Sequence, residues 1–499
     1  MIHNIAKSFS LLLVLFLFAA VAMAQHDTGS GAATGAATGG GTTSSSRGPT
    51  VKKTPPPRRT PPPRTTTRTM PPARGVTAEQ LNAKGDELFN AKSYDDALEF
   101  YLKAVALKPL AGAYYHIGWI YNDQEAYDDA LPALQQSVRL NPSDPVVLSE
   151  IGYTYKNLKQ YDQALAAYRQ AIQLRNDYAT PHYQIGWIYN EQEQYAQAIE
   201  PLRRATSLKD NYAEAYSELG YSYQKLSRSQ EAIAAYQRAI QIKPDDGAAY
   251  LGLGDVNYYQ TKDYKAALAA YTTGVRYKDD NATAFYNLAW CANEYSQYSQ
   301  AATAARKAID LKNDYPEAYA ELGYAKRKLN SPAEAISAYQ QAITLKPGYG
   351  IAHTGLGDTY FEMKQYQESI APYERALRIS PNNARVRYNL GWDYNNEARY
   401  AEAVPVLAEA VRLKPEYVEA HTELGFSYYK LHRLPAAVES LRTAIGLKRD
   451  HATAHYYLGL VFIEQRNKQG AQQQYAILKQ LDPAKAQQLY DAAPPSMRN

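Results

Sequence analysis

From residue 77 to about 484, polar stretches are broken by apolar and small positions that return at helical spacing. A Gly marks each return: Gly85, Gly118, Gly152, Gly186, Gly220, Gly254, then Ala289 in its place, then Gly323, Gly357, Gly391, Gly425 and Gly459. The step is 34 residues, except 33 at the first and 35 at the sixth, where one extra residue enters. Twelve residues beyond most of these comes a small residue, such as Ala97, Ala130 or Ala164. Four further on comes a Tyr or Leu, as in Tyr101, Leu134 and Tyr168, and a Pro often closes the unit, as at Pro109, Pro142 and Pro244. Steps of three and four put these side chains on one helix face. Small residues let two helices approach closely, and Pro stops the second. The pattern therefore predicts an all-α chain of about twelve helical hairpins. Many of the 46 Tyr fall in its structural slots, among them Tyr94, Tyr127 and Tyr161 near the turn between paired helices.

Gly, Ala, aromatic, Ala and Pro at these offsets resemble the 34-residue tetratricopeptide repeat. The resemblance covers residues 77–484. It implies a right-handed superhelical solenoid with a concave groove, because one hairpin cannot bury its own apolar face and must stack on its neighbours. Thr77 and Gln80 can form a capping box at the start. Residues 485–499 form a capping helix and tail, with Leu489 and Tyr490 covering the last exposed face.

All four Trp lie in one recurring phrase: YHIGWIYN, YQIGWIYN, YNLAWCAN and YNLGWDYN. Each aligns a Tyr, a Trp and an Asn at i, i+4 and i+7, along one face of the first helix. These candidate ligand-binding residues are Tyr115, Trp119 and Asn122; Tyr183, Trp187 and Asn190; Tyr286, Trp290 and Asn293; and Tyr388, Trp392 and Asn395. The family resemblance implies that these positions face the groove. Aromatic rings with polar edges and amides that both donate and accept suit an extended peptide, and would also suit a glycan. The alternative is that Trp packs on the neighbouring first helix and Asn is merely tolerated. The same register brings Glu191 towards Lys225 and Glu294 towards Lys328, exposed pairs that would contribute ~0–1 kcal/mol each.

The ends of the chain differ from this array. Residues 1–24 carry Lys7, an apolar run and Ala22-Met23-Ala24, the pattern of a cleavable secretory signal. The run is too short to span a bilayer, so an exported protein, periplasmic or secreted, with no transmembrane helix after cleavage is expected. Residues 25–76 are rich in Gly, Ser and Thr and then in Pro and Arg, too poor in apolar side chains to form a core, and read as a disordered tether. This tether carries eight Lys and Arg against Asp27; the whole chain is +4 and Lys7 adds one, so the body from residue 76 is −4. A basic arm could hold an anionic cell-envelope polymer or act as a solvated spacer. The single Cys291 excludes an internal disulfide and is expected to fill a gap between helices.

Neither a nucleophile elbow nor a phosphate-binding loop is present. GLGD at 252–255 and 355–358 is the repeat Gly with a neighbour, and His451 with His455 lacks a third metal ligand. The sequence implies no cofactor, no metal, no nucleic-acid partner and no enzyme. It reads as an exported scaffold holding an extended protein segment in its groove; the alternatives are a glycan- or peptidoglycan-binding module and, less favoured, an accessory subunit of an enzyme.

Overall fold

The computed structural model describes residues 75–498. The expected signal segment and nearly all of the tether lie outside these residues. Two compact units divide the described chain at residue 284. Each is a run of helical hairpins in which a first helix of 13 residues, such as Ala111–Asp123, is followed by a second of 14, such as Tyr127–Leu140. Twelve hairpins occupy Ala78–Leu481, and no strand occurs among the described residues. No helix there is long and apolar enough to cross a membrane.

In nine of the twelve hairpins, the recurring Gly and the Tyr or Leu sixteen residues later form the contact that closes the pair. A Cβ on Gly152 would lie 2.7 Å from the Tyr168 ring, and one on Gly186 only 2.4 Å from Cγ of Leu202. Both large partners are fully buried. Removing a side chain such as Leu202 from water stabilises the fold by about 1.5–3 kcal/mol, and only a residue without a Cβ lets it in. At the one unit where Ala289 replaces Gly, the residue sixteen positions on is Ala305, and both are fully buried. The methyl gained on the first helix is matched by bulk lost from the second.

Every hairpin turns through one residue in the left-handed region, with φ between 56° and 62°: Lys92, Glu125, Lys159, Glu193, Ser227, Lys262, Ser296, Asn330, Lys364, Ala398, His432 and Arg466. None is Gly. The first turn shows why the conformation is kept: Ser93 N–H donates to Leu88 C=O at 2.9 Å and Lys92 N–H to Phe89 C=O at 2.9 Å, which satisfies carbonyls the helix end leaves open.

The extra residue at the sixth step is absorbed inside a helix. Gly247–Asp255 continues as a π-helical turn over Val256–Thr261, after which the hairpin resumes with Tyr264–Tyr277. A π-turn takes one residue more than an α-turn over the same rise, so the inter-helix contact survives, now as Gly254 against Tyr271.

Caps close both ends of the described array. Thr77 accepts from Gln80 N–H at 3.2 Å and donates its own N–H to Oε1 of Gln80 at 3.0 Å, a complete capping box. At the other end the helix Pro483–Ala492 brings Leu489 against Gly459, in place of Tyr475. Cys291 is fully buried, and burial pushes its thiol up to about 12.

Candidate functional site

Neighbouring first helices touch directly, for example Ala179–Glu191 with Ala213–Lys225 and Ala384–Asn396 with Val418–Lys430. The four Asn of the Trp-containing phrases lie in such seams. Asn122, Asn190, Asn293 and Asn395 are each no more than 5% exposed. Their amides do not face outward, as the sequence reading expected, but bind the next hairpin. Asn190 Nδ2 donates to the Glu218 backbone carbonyl at 3.1 Å and to its Oε2 at 2.8 Å, while Ser222 Oγ donates to Asn190 Oδ1 at 2.7 Å. Asn395 repeats this with Glu423 at 3.2 and 2.9 Å and with Ser427 at 2.7 Å. Asn122 pairs with Glu150 Oε2 at 3.2 Å and accepts from Thr154 at 2.9 Å.

Asn293 has only half of the arrangement. Its Nδ2 reaches the Glu321 carbonyl at 3.1 Å and Oε2 at 2.7 Å, but Ala325 occupies the hydroxyl position and Asn293 Oδ1 has no partner. The physical reason for the inward turn is that first helices pack side by side, so a residue seven positions beyond the partly buried Tyr rotates into the seam. A buried amide there must find partners.

The Glu of each rung was missed in the sequence, although a signal existed. Glu150, Glu218, Glu321 and Glu423 each stand two residues before the repeat Gly, only in the unit that follows a Trp phrase, and Thr154, Ser222 and Ser427 stand two after it. Burial holds the Glu150 carboxyl above its usual range and pushes those of Glu321 and Glu423 up to about 7, against the Asn amides that lower them.

The Tyr and Trp of the phrases are placed differently. All eight are partly buried, neither sealed nor fully exposed. Trp119 and Trp392 lean on the preceding hairpin: Trp119 lies 4.9 Å from Phe89 and 5.3 Å from Tyr94, and Trp392 6.5 Å from Phe361. Over Trp187 sits Nζ of Lys156 at 4.7 Å, which also stands 4.9 Å from the Tyr153 ring. Burial lowers that ammonium to about 8. The Trp392 indole N–H is buried with no acceptor. Tyr183, Tyr286 and Tyr388 each meet a Tyr of the next hairpin, Tyr212, Tyr315 and Tyr417, with centroids 4.9–5.2 Å apart. Burial, helped by Glu150 and Glu423, raises the Tyr115 and Tyr388 hydroxyls well above their ordinary value, so both remain donors. The indoles thus both pack on a neighbour and keep part of their surface accessible.

The expected Glu294–Lys328 pair does not form: Lys328 stands over the Tyr324 ring at 5.6 Å, and Glu294 has no cation among the described residues. Lys225 likewise stands over Tyr221 at 5.3 Å. His451 caps a helix by accepting from Ala454 N–H, and His455 is spent on Gln474 Oε1 at 2.7 Å and the Arg449 carbonyl at 2.9 Å. No group of three metal-ligating side chains occurs among the described residues.

Sequence patterns of the tetratricopeptide repeat match residues 82–145, 145–211, 213–246, 257–316, 316–349, 388–445 and 422–486, and a further TPR repeat pattern matches 357–392. No curated protein sequence matches. Among solved structures, the chain is 18% identical to YrrB, described as a TPR protein with an unusual peptide-binding site, over 38% of this chain and 96% of that one, with a TM-score of 0.35. The Cut9–Hcn1 hetero-tetramer structure is 15% identical over 84% of this chain and 96% of that one, with a TM-score of 0.37. PilF of Pseudomonas aeruginosa is 18% identical over 42% and 94%, with a TM-score of 0.39. Likeness at these values carries no argument about ligands.

Proposed function

Because the chain belongs to the tetratricopeptide repeat family, we propose that it is an exported scaffold that holds an extended segment of another protein against its first helices. Arrays of this family typically serve protein–protein interaction. One observation carries the finer reading: at four equivalent positions a Tyr and a Trp keep accessible surface, while the Asn beside them is sealed into the seam. If stacking alone had shaped these positions, the seam amides would suffice and the broad rings could be replaced by ordinary aliphatic side chains. Rings of this kind bind with little loss of side-chain freedom, which favours them as contact residues. Export rests on the pattern in residues 1–24, and the basic segment before residue 76 is proposed to add attraction to an anionic envelope polymer.

Intrinsic fluorescence tests this directly, since all four Trp lie in the proposed surface. Titration with unstructured peptides from exported proteins is expected to shift the emission saturably, and Trp187→Ala and Trp392→Ala to weaken that binding, by about 1–3 kcal/mol each for a central contact. Soluble peptidoglycan fragments form the opposing arm. A saturable shift with the glycan and none with any peptide would overturn the protein-segment reading in favour of a glycan module.

A further inference from the structure

The second unit contains a cleft of about 670 Å³ next to the incomplete Asn293 rung. Its charged lining balances in number but not in pairing. Arg385 Nη1 binds Asp358 Oδ1 at 2.9 Å, Arg327 Nη1 binds Glu362 at 2.5 Å with Nη2 3.9 Å from Asp358, and Lys346 binds Glu317 at 2.8 Å. Every cation of the cleft already holds a carboxylate. Glu294 and Glu321 hold no cation among the described residues, and their carboxyls are raised by burial, with Glu294 adding repulsion at Glu321. Asn293, 5% exposed, donates to Glu321, and its buried Oδ1 has no donor among the described residues.

The first unit shows what a completed version looks like. At the position 103 residues earlier the cleft is about 150 Å³, the Asn190 acceptor is filled by Ser222, and an internal cation, Lys225, is among the lining residues. In the second unit Ala325 takes the place of that Ser, and Lys328, the counterpart of Lys225, is not part of the wall. The larger cleft therefore has no counterpart of Lys225 in its wall, and Arg327, which stands where the smaller cleft has Gln224, is held by Glu362 and Asp358.

We infer that this cleft receives an Arg or Lys side chain of the bound protein segment, whose cationic donors bind the carboxylates of Glu294 and Glu321. This rests on the protein-segment reading above and adds a residue requirement to it. An ammonium or guanidinium supplies donors and no acceptor, which suits a wall that presents two carboxylates. A charge-assisted hydrogen bond here also offsets the cost of burying carboxylates that have no counter-charge.

The test uses the full chain and fluorescein-labelled nonapeptides of Gly, Ser and Ala with blocked ends, carrying Arg, Lys, citrulline or Glu at the centre, read by anisotropy. Arg and Lys peptides are expected to bind at least tenfold tighter than the citrulline and Glu peptides. That preference should vanish in Glu294→Gln/Glu321→Gln. If all four peptides bind alike, if the Glu peptide binds best, or if the double variant keeps the preference, the inference is wrong while the protein-segment reading stands. Absence of saturable binding by every peptide in the panel would remove both.

Discussion

At the residue scale, the informative contrast is among the four seams. Three Asn side chains have their oxygen and nitrogen both paired across neighbouring hairpins, and one lacks its hydroxyl partner. Asn395→Ala should therefore be costly, because Glu423 and Ser427 are both buried and both lose a partner; a loss of about 1–3 kcal/mol is expected from the urea midpoint. The reverse change is open at the third seam. Ala325 is fully buried at the position where Ser222 and Ser427 are also fully buried, so Ala325→Ser should fit and donate to Asn293 Oδ1. It is expected to raise stability by about 0.5–1.5 kcal/mol in the same measurement, and an unchanged or lowered midpoint would show that the hydroxyl does not reach.

At the scale of the helical hairpin, two local rules govern the element: what closes it and what turns it. Gly186→Ala would force a methyl to 2.4 Å from Leu202 Cγ, an overpacking that costs about 1–3 kcal/mol. Leu202→Ala alone leaves a cavity and costs about 2–5 kcal/mol. Combined, they reproduce the Ala289 and Ala305 arrangement already present in the chain. The double variant should therefore be more stable than the sum of the single losses by more than about 1 kcal/mol, as a double-mutant cycle would show. The turn obeys a different rule. Lys364 is exposed with φ of 60° and makes no side-chain hydrogen bond or ion pair among the described contacts. A side chain there costs roughly 1–2 kcal/mol relative to the right-handed region, and Gly avoids that strain while giving some back as chain entropy. Lys364→Gly is expected to raise the midpoint by a net ~0.5–1 kcal/mol.

At the scale of the whole molecule, buried carboxyls make stability depend on pH. Glu423, 5% exposed, titrates near 7 in the folded protein rather than near 4.5, and Asp393 and Asp255 are pushed up to about 7 and about 6. Between about pH 4.5 and 7 the folded chain binds more protons than the unfolded one at Glu423. Its contribution is thus fully present below 4.5 and is lost as pH rises to about 7. For this one group the change amounts to roughly 3 kcal/mol. Burial lowers His116, His182 and His451, and these act in the opposite sense as pH falls through 6.5, so the bare pH profile mixes two trends. Glu423→Gln separates them: relative to the parent it should gain stability at pH 8 over pH 5, by up to a few kcal/mol. An equal difference at both pH values would mean that Glu423 is ionised in the fold.

Periodicity was enough for much of this. Steps of three and four, Gly against a large residue sixteen positions on, and Pro after the second helix define a helical hairpin from local geometry alone, so the array, its first cap, its closing helix and its one inserted residue could all be read from the chain. The same spacing put Tyr, Trp and Asn on one side of a helix, and that alignment is real. Whether such a side faces solvent or a seam depends instead on the angle at which successive hairpins pack, which no single helix encodes. Packing sent the four Asn inward to Glu residues 28 positions away, left the rings half covered, and moved Lys225 and Lys328 onto Tyr rings. It also left Glu294 and Glu321 on one cleft whose cations are held by other carboxylates. Contacts within a hairpin follow from helical repeat, whereas those between hairpins follow from how bulk and polar groups are accommodated when two preformed surfaces meet.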